Sequence, residues 1–543
     1  MLQLHYKVTA SEVQELKRTK WYKDGVFYQV WPRSFKDGNG DGMGDLIGVY
    51  EKLDYIKSLG CDGIWFSPLY PSPGIDCGYD ISNYMDIAEE FGGMDAFKKV
   101  LDGAHERGMK IIMDLVVNHT SDEHEWFQKS RQRIDPYTDY YIWRDKPNNW
   151  QSLFEGGSAW QWDDVRQQYY LHLFAIKQPD LNMDNPAVRE EIVKLLRFWL
   201  DMGVDGFRED VITFISKKEG LPNDYIFPSA KGILNYNYGP HLKEYLSQFK
   251  HEAFEGHDYV IIAETALTGP EKAIEYAPDT DDGLLDMMIQ FQCMGADCLI
   301  TDFFPLPFSL KKLKKAFSSW QTKLHGKSWN LLYIENHDHS RVVSRYGSEK
   351  YRAESAKMLC CAYMLQEGTP FVYMGQELGM TNWYPESMDM YEDVQTRNQH
   401  LKLPEKLRLK ISYSASRDSA RTPIPWTSGK NAGFTTADKP WFYINPNYKE
   451  INVEDEEKDP DSVLNFYRKA IALKKEIDRD APYKELYKSS SKIYAYTRGN
   501  EYTVVCSFTE APVKFSAPGS IILSNYKDNG EYLKPYECRV YKK

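Results

Sequence analysis

Three short apolar runs in this chain end on acids: Gly206-Phe207-Arg208-Glu209-Asp210-Val211, Val260-Ile261-Ile262-Ala263-Glu264-Thr265 and Tyr333-Ile334-Glu335-Asn336-His337-Asp338. They sit in a chain that alternates strand-like and helix-like segments. Strand-like runs fall at residues 26–34, 63–67, 110–118, 204–211, 259–264, 331–336 and 369–375, with a less distinct sixth at 284–290. Amphipathic stretches at 46–59, 94–107, 186–202 and 353–365 separate many of them. Strand then helix, repeated, predicts parallel strands joined by crossovers, as in a (β/α)8 barrel or an open doubly wound sheet. Parallel strands deliver their C-terminal residues to one rim, so acids scattered in sequence would meet there.

The alternation breaks twice. Residues 119–182 turn irregular and rich in Trp, Tyr, Asp and Gln, and a loop that long inside a compact domain is usually a functional excursion. Residues 376–426 are irregular too and hold Arg417 and Arg421. Beyond about 481, short strand-like runs with turn signals between them predict a small antiparallel domain. The breaks divide the chain into a strand-and-helix body over 1–118 and 183–480, an insertion over 119–182, and an antiparallel sheet domain over 481–543.

The formal net charge is −12, with acids and bases interspersed. That argues against nucleic acid or an anionic membrane surface as partner. No apolar stretch reaches signal-peptide or membrane-span length, so a cytoplasmic location and a monomer or weak oligomer are expected. The eight cysteines show no CxxC pairing and read as small buried hydrophobes in a reducing compartment. Fourteen Trp, thirty-nine Tyr and twenty-five Phe would suit sugar faces, although such rings more often serve packing.

On a strand, Arg208 and Asp210 share a face. A nearby guanidinium favours the ionised carboxylate, which suits a nucleophile or stabiliser. Glu264 ends an apolar strand, where burial would raise its pKa and suit proton donation. Asp338 follows His337 and would hold substrate hydroxyls. One such acid alone reads as a strand-end salt bridge; acids ending successive strands point to a cluster. Carboxylates with an Arg and a His beside them are what glycosidic bond cleavage requires. His337 and His339 flank Asp338 without an evident third metal ligand, and read as one substrate contact and one structural residue.

The run from Asp37 to Asp45 places oxygens at every second position, among them Asp37, Asn39, Asp41 and Asp45. Its opening matches a calcium loop, but its twelfth position is Gly48 rather than a bidentate Glu. A one-loop structural calcium site is expected, against an Asx-rich turn without metal. Gly326-Lys327-Ser328 lacks the upstream glycine of a phosphate loop, and no organic cofactor is expected.

Together these motifs resemble glycoside hydrolase family 13, the α-amylase family, and within it the oligo-1,6-glucosidase group. The resemblance runs from about Trp21 to the C-terminus and rests on Asp114-Leu115-Val116-Val117-Asn118-His119, Gln178-Pro179-Asp180-Leu181-Asn182, Gly206–Val211, Ala263-Glu264-Thr265 and Asn336-His337-Asp338. It implies a catalytic (β/α)8 barrel over 1–118 and 183–480, a subdomain inserted after the third strand over 119–182 and a C-terminal β-sandwich over 481–543. The implied activity is that of a retaining, exo-acting α-glucosidase that works on small α-glucosides such as isomaltose from the non-reducing end. Asp210 would be nucleophile, Glu264 acid/base and Asp338 transition-state stabiliser. Tyr79 would be the platform under the first glucose. Asp76, His119, Arg208, His337 and Arg421 would hold its hydroxyls, with Phe174 and Gln178 as further contacts. Met43 would add its carbonyl to the calcium loop.

In this group a Val after the nucleophile, here Val211, goes with α-1,6 preference. The chain departs from the pattern at Met183 (usually Trp), Glu209 (usually apolar) and His339-Ser340 (usually Gln-Pro). Glu209 would point away from the Asp210 face. Met183 and His339 would lie on the leaving-group side. Rival readings are a sucrose isomerase or trehalose synthase, a trehalose-6-phosphate hydrolase, and a non-catalytic transporter heavy chain, which needs a membrane span.

Overall fold

The computed structural model describes residues 18–226, 230–299 and 301–543. Eight strands form its central sheet: β1 (Phe27–Val30), β2 (Gly63–Phe66), β3 (Lys110–Leu115), β4 (Gly206–Glu209), β5 (Val260–Thr265), β6 (Met287–Gln290), β7 (Leu331–Leu332) and β8 (Thr369–Tyr373). The hydrogen-bonded order is β7-β8-β1-β2-β3-β4-β5-β6. Every pairing is parallel. This is the (β/α)8 barrel, and all eight predicted strands are in it.

The seam between β6 and β7 is closed by a side chain, Tyr333, whose hydroxyl donates to the Gln290 carbonyl at 2.7 Å. Apart from Lys110 the strands are buried along their whole length. Helices cover the outer face, which is why most of these runs are apolar on both faces, with Asp114, Arg208, Glu209 and Glu264 as exceptions.

The helix Pro186–Met202 shows how local chemistry sets an element. Asn185 caps it by accepting from the Ala187 N–H, Pro186 occupies the first turn, and Gly203 ends it at φ 109°. Val188, Ile192, Leu195, Leu196 and Trp199 make its buried stripe. The helix expected over 46–59 is instead two short ones, Leu46–Glu51 and Leu53–Ser58, because Lys52 leaves helical geometry at φ −109°, ψ 9°.

The excursion after β3 carries a three-stranded antiparallel sheet of Trp143–Arg144, Gln168–Leu171 and Trp160–Asp163. Its Trp150, Leu171, Leu173 and Phe174 share a core with Phe214 and Tyr236, which follow β4. The insert is therefore seated on the strand that ends in Asp210. At the C-terminus, Tyr483–Leu486, Ile493–Arg498, Tyr502–Ser507, Cys538–Lys542 and Ser520–Ser524 form one antiparallel sheet, beside a ribbon of Val513–Lys514 and Tyr532–Leu533. The strands at 483–486 and 532–533 carry no apolar alternation and were not expected. The five-stranded sheet is tied to the barrel by Tyr496 Oη donating to the Cys361 carbonyl at 2.7 Å and Arg498 Nη1 to that of Leu365 at 2.9 Å. Seven of the eight cysteines are buried, with Cys77 partly so. Among the described residues, no helix is long and apolar enough to cross a membrane.

Gly206 begins β4 where a side chain has no room: a Cβ there would lie 2.2 Å from the Val260 carbonyl oxygen of β5. Because the obstacle is backbone, the strand itself would have to shift. Gly206→Ala is expected to destabilise the fold by about 3 kcal/mol, read by denaturant unfolding. A loss under about 0.5 kcal/mol, the level of a neutral surface change, would refute the close approach.

Candidate active site

Asp210 directly follows β4, Glu264 lies in the last turn of β5, and Asp338 lies on the loop after β7. All three line one cavity of about 190 Å³ at the C-terminal rim. Asp76, Tyr79, His119 and Phe174 line it too, as do Val211 and four residues without an expected role: Phe154, Phe291, Gln395 and Arg417.

Arg208 binds the acids together. It is 1% exposed. Its Nη1 donates to Asp114 Oδ1 at 2.8 Å and to Asp210 Oδ1 at 2.7 Å, and its Nη2 lies 2.8 Å from Glu264 Oε2. A single guanidinium thus holds Asp210 and Glu264 at one centre. The Val211 N–H donates to the same Glu264 oxygen at 3.0 Å. To do so Val211 adopts φ 35°, ψ 36°, a left-handed conformation that a β-branched residue rarely takes. Such strain, about 1–3 kcal/mol, persists only where the surroundings enforce it.

The electrostatics differ from the expectation at Asp210. Burial pushes its carboxyl well above the usual range, and Glu264 and Asp114 add to this against Arg208. The guanidinium is shared among three acids and cannot neutralise them all. Burial raises Asp114 to about 6 despite Arg208. Burial and the neighbouring acids thus press the Asp210 carboxyl toward protonation against the pull of Arg208.

Asp338 is the opposite case. Burial opposes its ionisation, but His337, Arg417 and Arg421 outweigh it and hold the carboxyl below the usual range. Burial keeps His337 itself neutral. Gln29 Nε2 donates to its Nδ1 at 2.7 Å, so the ring proton sits on Nε2, which is 2.6 Å from Tyr79 Oη and 3.1 Å from Asp338 Oδ2. Tyr79 Oη passes its own proton toward Asp114 Oδ2 at 3.0 Å. The Tyr79 and Trp31 rings lie near parallel to His337, at 5.5 and 5.3 Å between centroids.

His119 is pushed down to about 4 by burial. It accepts from Asn118 Nδ2 at Nδ1 (3.2 Å) and donates from Nε2 to the Tyr79 carbonyl (3.1 Å). Gln178 does not line the cavity; it is fully buried behind it, with Nε2 3.4 Å from Asp76 Oδ2. Burial raises Asp76 to about 6 although Arg417 Nη2 donates to its Oδ1 at 3.0 Å.

The two arginines change places relative to the expectation. Arg417 lines the cavity, bonded to Asp76, to Asp393 Oδ1 at 2.5 Å and to Asp338 Oδ1 at 3.4 Å. Arg421 lies underneath, donating from Nε to the His337 carbonyl at 3.1 Å, with its guanidinium 4.5 Å over Trp31 and Nη2 3.5 Å from Asp338 Oδ1. Both sit in one irregular loop, Arg417-Asp418-Ser419-Ala420-Arg421, where no periodicity tells which side chain faces inward.

Met183 also differs from the expectation. It lines a separate, larger cavity of about 440 Å³ beside Trp143, Arg166 and Lys217, away from the three acids. Glu209 is buried and does not line the catalytic cavity; burial raises its carboxyl to about 8.

In the loop after β1, Asp37 accepts from the Gly40 and Gly42 N–H groups at 2.6 and 2.8 Å, Asn39 from Asp41 N at 2.8 Å, and Asp41 from Met43 N at 2.8 Å. These three keep spare lone pairs and suit a hard cation. Both Asp45 oxygens are already taken by the Gly38, Asn39 and Gly48 N–H groups.

Comparison with known proteins agrees with this geometry. The profile described as "Alpha amylase, catalytic domain" matches residues 29–480. The chain is 46% identical to an oligo-1,6-glucosidase of Parageobacillus thermoglucosidasius, over 96% of this chain and 99% of that one. In structure it is similar to trehalose-6-phosphate hydrolase of Bacillus licheniformis (TM-score 0.89, 41% identity, 96% and 99% covered). It is also similar to isomaltulose synthase of Klebsiella sp. LX3 (TM-score 0.92, 39% identity, 96% and 99% covered). The chain belongs to the α-amylase family of glycoside hydrolases.

Proposed function

We propose that this enzyme is a retaining, exo-acting α-glucosidase that removes glucose from α-1,6-linked glucosides such as isomaltose. The observation that carries the reading is the buried Asp210–Arg208–Glu264 bridge, whose two acids line a cavity sized for one hexose ring. Acids held by one guanidinium are compatible with the about 5–5.5 Å spacing of retaining pairs.

Asp210 attacks the anomeric carbon as Glu264 protonates the departing glycosidic oxygen, forming a glucosyl ester. Water then gives its proton to Glu264 and attacks the same carbon, releasing Asp210 and glucose with its α configuration kept. Asp338, held ionised by its arginines, stabilises the cationic ring. Asp76, His119, His337 and Arg417 hold ring hydroxyls directly or through Tyr79 and Asp338.

Purified enzyme on isomaltose should release α-glucose, and Asp210→Asn should lower turnover by on the order of 10⁴-fold while leaving unfolding unchanged. Retained turnover would reassign the nucleophile. On sucrose, an isomeric disaccharide instead of free monosaccharides would replace hydrolysis by the isomerase reading.

Val211 lines the cavity beside the pair, and its branched side chain narrows the approach of the leaving group. Val211→Ala should raise activity on maltose relative to isomaltose several-fold. An unchanged ratio would remove Val211 as the linkage determinant.

Calcium in the 37–45 loop would be held by Asp37, Asn39, Asp41 and the Met43 carbonyl, and would supply rigidity rather than chemistry. Anything that binds only the folded state stabilises it, by about 2.7 kcal/mol at a hundredfold excess over Kd. Millimolar calcium should therefore raise Tm by a few degrees over a chelated sample. Identical melting in both would argue for a self-sufficient Asx-rich turn.

A further inference from the structure

His339 directly follows Asp338 and lines the catalytic cavity. Its Nδ1 is 2.5 Å from Asp302 Oδ2. The other Asp302 oxygen accepts from Arg345 Nη2 at 3.0 Å, and Arg345 is itself clasped by Asp297 at 2.6 and 2.9 Å. The place a cation would take between Asp297 and Asp302 thus belongs to Arg345.

This chain of contacts sets the imidazole tautomer. Asp302 is partly buried, which opposes ionisation, but Arg345 prevails and holds it below the usual carboxylate range. An acceptor-only carboxylate places the ring proton on Nδ1, so in the neutral imidazole Nε2 carries the lone pair. Nε2 is buried and has no hydrogen-bond partner among the described residues. Buried acceptors left unpaired are rare in native proteins, and at a ligand cavity they mark a place that substrate completes.

Position within the barrel says which part of the substrate does so. Asp302 and Phe291, whose ring is 5.9 Å from that of His339, both belong to the segment after β6. Strand β6 pairs with β5, where Glu264 stands opposite Ile289. Glu264 is the group that protonates the departing oxygen, whereas Asp76, Tyr79 and His119 come from the loops after β2 and β3. We propose that His339, oriented by Asp302, is a specificity-determining residue whose Nε2 accepts a hydrogen bond from a hydroxyl of the sugar unit that leaves. This rests on the α-glucosidase reading above.

The test compares isomaltose with 4-nitrophenyl α-D-glucoside, whose leaving group has no sugar hydroxyl. His339→Ala should lower kcat/KM for isomaltose about tenfold, the worth of one hydrogen bond to a neutral partner, and change the nitrophenyl substrate less than about twofold. His339→Gln, whose amide oxygen can accept, should recover most of the isomaltose rate. Asp302→Asn, which can donate to Nδ1 and so shift the proton to Nε2, should impair isomaltose selectively and serves if His339→Ala does not fold. Equal losses on both substrates, no loss on isomaltose, or a His339→Gln no better than alanine would each overturn the proposal. A wild-type enzyme inactive on both substrates would defeat the α-glucosidase reading itself and take this proposal with it.

Discussion

One buried guanidinium governs the chemistry of this protein. Arg208 sits at the end of β4 with Asp114, Asp210 and Glu264 all within 2.8 Å of its terminal nitrogens. A lone buried cation would be prohibitively unstable, and so would three buried carboxylates without it. Together they still carry more negative than positive charge, and burial makes that excess costly. The carboxyls of Asp210 and Asp114 are accordingly raised. Acetal cleavage by double displacement needs a proton donor and a nucleophile in one site, and carboxyls gathered on one guanidinium provide both.

The rest of the rim refines that centre. The insert after β3 packs its core against Phe214 and Tyr236 beyond β4, so the wall bearing Phe174 is fixed to the strand that ends in Asp210. The loop after β8 sends Arg417 to Asp76 and Asp338, joining sides of the cavity that lie 341 and 79 residues away in sequence. The Asp338 carboxyl is held below the usual range because two arginines of that loop surround it, while burial raises that of Asp210, whose only arginine is shared. Two carboxyls on one rim thus receive opposite electrostatics from the loops and the strand beneath them, as expected where a rigid barrel carries variable loops.

The parts of this protein that follow short-range rules were legible in its amino-acid sequence. The eight strands are largely apolar runs, the helix 186–202 carries its own cap, proline and terminal glycine, and Arg208 and Asp210 share a strand face through simple alternation. Glu264 lies near the end of one strand, Asp210 directly follows another and Asp338 stands on the loop after a third, so their convergence follows from the parallel topology. What tertiary structure alone decided is how charge is apportioned and which loop side chains turn inward. Asp210 is raised rather than lowered because burial outweighs a guanidinium that Glu264 and Asp114 also reach from neighbouring strands. Arg417 rather than Arg421 lines the cavity, and His339 reaches it while Met183 does not, because irregular loops have no period from which orientation can be read. Burial and long-range Coulomb interaction depend on distances between residues hundreds of positions apart, and only the folded chain sets those distances.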